Sequence, residues 1–188
     1  MKHILNDLIT LTGYTDADAQ IMQGVANQTV VWGPMIATAF YDALYGYEST
    51  SPVFKDGERP TREKSLIHWY NILISGKVDE DFWQWQWYVG IVHIPRGISN
   101  SFMMGMMSSV QQIFITQCMA TFEKEQALII YGAFKRITDV VAGLIAESYL
   151  ESYLEAAERS TGQSRKLIDR QVSFAVEEMV AEGQKDRL

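Results

Sequence analysis

Three histidines occur in this chain of 188 residues, and one of them, His93, stands where an imidazole can do chemistry. It lies in the run EDFWQWQWYVGIVHIPRGIS, in which Phe82, Trp85 or Gln86, Val89 and His93 follow at three- and four-residue steps, so a helix there carries the ring on its apolar stripe. Pro95 has no N–H to donate to the carbonyl four residues back and Gly97 is a natural stop, which puts His93 in the last turns of that helix. The helix dipole favours a basic ring at this end, and free carbonyls offer an acceptor for its second nitrogen, as a metal-bound imidazole requires. Two readings stay open on spacing alone, a metal ligand or a core histidine satisfied by a backbone carbonyl, and spacing leans to the second.

The rivals for the same chemistry are few. His68, in SLIHWYN, is a competing axial ligand, but it lies one step off the face formed by Leu66, Trp69, Tyr70 and Leu73 and reads as a surface or boundary histidine. The Met103 to Met107 cluster offers thioether ligands, although methionine at such density on a helix is usually flexible core packing. The sequence carries no nucleophile triad, phosphate loop, Cys-His metal spacing or paired-carboxylate motif, so a hydrolase or transferase has no visible machinery, and binding rather than catalysis is expected.

The chain's bulk properties narrow the class. Its length suits one domain with a core large enough to enclose a ligand, and with 47% hydrophobic residues and four prolines it is globular, not disordered. A net charge of −7 with no basic run argues against nucleic acid and anionic membrane surfaces. The single cysteine, Cys118, rules out an internal disulfide and reads as a buried thiol in a reducing compartment. The N-terminus MKHILNDLITLTG is too polar for a secretory signal and no run is long enough for a membrane span, so a cytoplasmic protein is expected.

The elements that must position His93 read as helices throughout. Thr15 and Asp18 form a capping-box pattern ahead of a helix carrying Ile21, Met22 and Val25 inward, with ILNDLITL a short helix before it. Pro34 suits the first turn of the next, with Met35, Ile36, Phe40, Tyr41 and Leu44 near one face, until the loop ESTSPVFKDGERP breaks it. Thr61 is read as the cap of a helix ended by Gly76 in the left-handed conformation, Asp79 as the cap of the His93 helix, and Asn100 as that of a helix bearing Met103, Met106, Met107, Val110, Phe114 and Cys118 or Met119. Trp83, Trp85 and Trp87 alternate, so they cannot share a face, and at least one is expected in solvent or an interface. The longest helix is expected from about Glu125 to Arg159, with a stripe of Leu128, Tyr131, Phe134 or Lys135, Thr138, Val141, Ile145, Tyr149 and Tyr153 that exceeds what one small core covers. A last amphipathic segment carries Leu167, Val172, Ala175 and Met179.

With these elements in place, the chain resembles the protoglobin and globin-coupled sensor family of heme-binding globins, from about Pro34 to Gly162. The resemblance rests on AFYDAL, then SGKVDEDF, then VGIVHIPRGI, then VVAGLIAESYLESYLEAAERS, in that order and at matching separations. It implies an all-α globin fold with an extra N-terminal helix and long C-terminal helices, binding heme b (iron protoporphyrin IX). His93 falls on the proximal iron ligand, and Tyr41 on the distal tyrosine whose hydroxyl donates to dioxygen. Phe40 falls beside the heme edge, Ser65 on a small hydroxyl position of the distal pocket, Trp69 where several members have a polar residue or histidine, and Val89 on the proximal side. Met103 replaces a proximal-side tyrosine of the sensor branch, a departure at the position of that branch's signal relay.

Residues 1–162 are therefore expected to form the heme domain and 163–188 a helical extension or linker. The expected function is reversible binding of a diatomic gas, O2, CO or NO, as a gas sensor or gas-handling globin. A homodimer through the long C-terminal helices and a separate signalling partner are also expected, since no output module follows the globin. The alternative is a heme-free globin fold that binds an apolar ligand or a protein.

Overall fold

Helices account for every regular element among the described residues, and no strand occurs there. The computed structural model describes residues 1–185, so the last three positions of the expected 163–188 extension lie outside the described residues. In chain order the helices are α1 (Lys2–Thr12), α2 (Asp16–Thr29), α3 (Gly33–Gly46), α4 (Arg59–Ile74), α5 (Glu80–His93), α6 (Asn100–Thr121), α7 (Lys124–Thr161) and α8 (Arg165–Lys185). Contacts group the chain into two units, Met1–Tyr149 and the chain from Leu150 onward.

Local chemistry sets most boundaries. The Thr15 N–H donates to the Asp18 carboxylate at 2.9 Å, which is the reach-back half of a capping box. Asp18 is 2% exposed and also accepts from the Arg136 guanidinium at 3.1 and 2.5 Å, so this buried carboxylate ties the start of α2 to the middle of α7 with its charge matched. Pro34 occupies the first turn of α3, as its pre-set φ favours. Two caps differ from expectation. Helix α4 starts at Arg59 after Glu58, because Pro60 suits its first turn, and Thr61 lies inside the helix. Helix α6 is capped by Ser99, whose backbone is extended and whose hydroxyl accepts from Phe102 N–H; Asn100 is already helical.

The core of the first unit is aromatic. Phe114 of α6 and Phe134 of α7 stack at 3.7 Å, with Trp32 set edge-on to Phe114 at 5.4 Å. Tyr70 of α4 is buried beside them and satisfies its hydroxyl by donating to the Thr29 carbonyl at 2.8 Å. Cys118 is fully buried in this core, and burial pushes its thiol up to about 12, so it is protonated at neutral pH.

The stripe of α7 is displaced at both ends from the expected one. Ala127, Ile130, Phe134, Ile137, Val141 and Ile145 are buried, whereas Leu128 and Tyr153 are 51% and 57% exposed. At about 100° per residue, Ala127 lies roughly 20° from Phe134 around the helix and Leu128 roughly 120° away, so steps of three drift off the face.

In the second unit, Arg165 at the start of α8 pairs with Glu151 at 3.0 Å and with Asp169 at 3.0 Å. Helix α8 buries none of its residues, and Phe174 and Met179 are more than half exposed.

Candidate functional site

A cavity of about 490 Å³ lies within the first unit, inside the range of roughly 300–1,000 Å³ typical of small-molecule and cofactor sites. Five helices wall it: α3 through Tyr41, α4 through Trp69, α5 through Val89, α6 through Met103 and α7 through Val141. All seven residues singled out from the sequence, Phe40, Tyr41, Ser65, Trp69, Val89, His93 and Met103, line this one space. They come from four helices spread along the chain, and folding brings them together.

Helix α5 places His93. Asp79 caps its start by accepting from Phe82 N–H at 2.9 Å, with Glu80 and Asp81 in the first turn where the helix dipole favours acids. Its middle is pressed against α7. A Cβ on Gly90 would sit 2.5 Å from the Ile145 carbonyl oxygen, so only glycine allows this approach. One turn earlier, the Ser148 hydroxyl donates to the Trp87 carbonyl at 2.5 Å. These two contacts hold the register of α5 just before its last residue, His93.

Beyond His93 the chain turns through Ile94–Arg96 and reaches Gly97 at φ +67°. Ile98 N–H returns to the His93 carbonyl at 3.1 Å and Gly97 N–H to Ile94 at 3.0 Å, the paired bonds of a Schellman stop. The carbonyl of His93 is thereby consumed by main chain. The ring makes no hydrogen bond among the described residues, which departs from the carbonyl-anchored ring expected from the sequence. Burial, aided by the charge of Arg96, lowers the His93 pKa to about 4, so at neutral pH the imidazole is uncharged and its lone pair is free to bind a metal.

Tyr41 enters from α3. It is 8% exposed, stands edge-on to Phe40 at 5.1 Å and to Phe54 at 6.0 Å, and its hydroxyl makes no hydrogen bond among the described residues. Burial raises its pKa to about 12, so it is a protonated donor facing the cavity. Ser65 sits at the rim, exposed, with its hydroxyl donated to the Thr61 carbonyl at 3.0 Å. Val89 and Trp69 are half-buried, and Met103 is buried in the wall. The rivals fare less well: His68 is exposed and is absent from the lining, while Met103, Met106 and Met107 form apolar wall. Of the three alternating tryptophans, Trp83 is buried and Trp85 is 57% exposed, as alternation requires.

Several lining residues escaped the sequence reading, which named Gln86 only as an alternative to Trp85 on the stripe of His93. Gln86 is 1% exposed and donates to the Phe82 carbonyl at 3.1 Å. Arg62 and Arg96 reach the cavity from α4 and from the turn after His93, and both are held by Glu58. A signal for Arg62 was present, because Arg62, Leu66 and Trp69 follow at four- and three-residue steps. Glu58 has a local partner in Arg62 four residues on, but its pairing with Arg96, 38 positions away, is set by tertiary contact. Among the described residues no three of His, Cys, Asp and Glu converge to hold a metal ion, and no helix is long and apolar enough to cross a membrane.

Comparison with known proteins bears on this geometry. No curated protein matches the chain significantly. Among solved structures, the globin domain of the Geobacter sulfurreducens globin-coupled sensor is similar at a TM-score of 0.70 and 20% identity, over 77% of this chain and 96% of that one. At that identity the likeness establishes the globin fold. The protoglobin family profile matches residues 2–155, most of the chain. The protein belongs to the protoglobin family.

Proposed function

We propose that the chain binds heme b through His93 and takes up a diatomic gas, O2, CO or NO, beside Tyr41, as a gas-sensing or gas-handling globin and not as an enzyme. The observation that carries this reading is a neutral imidazole at the end of α5 that lines the same apolar cavity as the phenol of Tyr41, both without a hydrogen-bond partner among the described residues. Since no converging set of His, Cys, Asp and Glu ligands occurs among the described residues, a metal in this space needs most of its ligands from a macrocycle. Bound heme supplies an iron whose open position accepts a diatomic ligand. The chain supplies the rest. His93 holds the metal, the Tyr41 hydroxyl donates one hydrogen bond to a ligand in the cavity, and the walls from Phe40, Val89 and Met103 exclude water.

The decisive experiment is an absorption spectrum after heme reconstitution, ferrous with and without CO, beside a His93→Ala variant. A sharp Soret band that shifts with CO in the parent and is lost or altered in the variant is the expected result. Heme uptake no better than that of an unrelated helical protein refutes the reading, leaving an apolar-ligand or protein-binding module. Equal uptake in the variant refutes His93 as ligand.

The protein is further read as a cytoplasmic homodimer that reports to a separate signalling partner, with residues 163–188 as its helical extension. The support for pairing is the apolar surface that α8 leaves uncovered, including Val172, Phe174 and Met179. Light scattering should give twice the chain mass at micromolar concentration, and a monomer removes this part.

A further inference from the structure

The charge on the cavity wall has a use beyond gas binding. Arg62 and Arg96 are the charged side chains among its lining, and no Asp or Glu joins them among the described residues. One carboxylate holds both from behind the wall: Glu58 accepts from Arg96 through two parallel bonds at 3.0 and 3.1 Å, and from Arg62 at 3.3 Å. A forked pair of this kind is geometrically complete, whereas the Arg62 contact is single and long. One carboxylate is thus shared by two guanidiniums, while the neighbouring Asp42 and Glu63 are taken up by Arg59 at 2.6 and 2.8 Å. The Arg62 Nε–H is, moreover, buried without an acceptor among the described residues, and a buried guanidinium donor has given up water with nothing in return.

An incomplete cation pair on the rim of an otherwise apolar cavity matches a flat apolar ligand with acid groups on one edge. We propose that Arg62 and Arg96 receive the carboxylates of the bound ligand, and that Glu58 is an internal stand-in which those carboxylates displace. The assignment rests on the porphyrin reading of the cavity and adds an orientation to it: the propionate edge lies toward Arg62 and Arg96, which bridge the start of α4 and the turn after His93. The ligand's acid supplies the acceptor that Arg62 Nε lacks, and Glu58 gives up the forked bond to Arg96.

Iron-free protoporphyrin IX and its dimethyl ester test this without metal ligation, with binding to the full chain followed by quenching of tryptophan fluorescence, since Trp69 and Trp85 line the cavity. The diacid should bind about tenfold more tightly than the diester, a difference of about 1.4 kcal/mol. Arg62→Gln combined with Arg96→Gln should abolish that preference. Glu58→Gln should tighten the diacid several-fold and leave the diester unchanged, because it removes the competitor. That increase is the opposite of what a purely structural clasp predicts, so it stands even if the double variant folds poorly. Equal affinity for diacid and diester in the parent, or weaker diacid binding in Glu58→Gln, overturns the assignment. Binding of neither porphyrin refutes the porphyrin reading and the assignment with it, whereas a parent that prefers the diacid but shows no CO-sensitive heme spectrum refutes ligation by His93 alone.

Discussion

Replacing Gly90 by alanine tests whether the approach of α5 to α7 positions His93. The added Cβ would meet the Ile145 carbonyl oxygen at 2.5 Å and the Ser148 Cβ at 2.8 Å. The first of these is helix backbone, which cannot turn aside, so α5 must back away. Overpacking of this kind costs about 1–3 kcal/mol. Retreat of α5 also stretches the bond from Ser148 to the Trp87 carbonyl, another loss of about 1 kcal/mol. Alanine recovers about 1 kcal/mol through its better helix propensity. The net expectation is a loss of about 2 kcal/mol, or roughly 4–8 °C in Tm for a chain of this size. Gly105→Ala is the control, because among the described residues nothing lies within 4 Å of its added Cβ in the second turn of α6; it should be neutral or stabilising by up to about 1 kcal/mol. Thermal and urea unfolding of the heme-free protein measure both. A Gly90→Ala protein as stable as the parent would refute the close-packed register. If that variant is destabilised yet reconstitutes with an unchanged heme spectrum, the contact matters for the fold and not for placing His93.

Two other outcomes follow from the titration and hydrogen bonding of the site. Tyr41→Phe removes the one unpaired donor identified in the cavity from α3, so dioxygen should leave about fivefold faster, the equivalent of about 1 kcal/mol; an unchanged off-rate by flash photolysis would rule out Tyr41 as the donor. His93 has a pKa of about 4 in the fold against 6.5 when unfolded, so as pH falls below 6.5 the unfolded chain binds the proton first and the heme-free protein loses stability until about pH 4. Relative to His93→Ala, the parent should therefore lose about 2 kcal/mol between pH 7 and pH 4.5, and urea curves that shift in parallel for the two proteins would contradict it.

Much of this protein is legible in its local chemistry. The period of its apolar residues specifies helices, because a helix returns each side chain to the same face every three or four residues whatever lies around it. Asp79, Pro34, Gly76 and Gly97 mark boundaries by interactions that reach only a few residues along the chain. His93 could be singled out by its place on an apolar stripe at a helix end, whereas Tyr41 stood out only through the family resemblance of AFYDAL, and the structure places both on one cavity.

What local pattern cannot specify is which groups meet across the fold. The buried face of α7 begins at Ala127 and not Leu128, a difference of about 100° around the helix that is decided by the packing of Phe134 against Phe114. The neutrality of His93 depends on how deeply the cavity wall buries it and on Arg96 nearby. The sharing of Glu58 between Arg62 and Arg96 joins residues 38 positions apart, and Gly90 matters only because α7 passes against it. Periodicity and capping act within a turn or two of one helix, whereas burial, charge pairing and backbone approach are properties of a space enclosed by several, and that space exists only once the chain has folded.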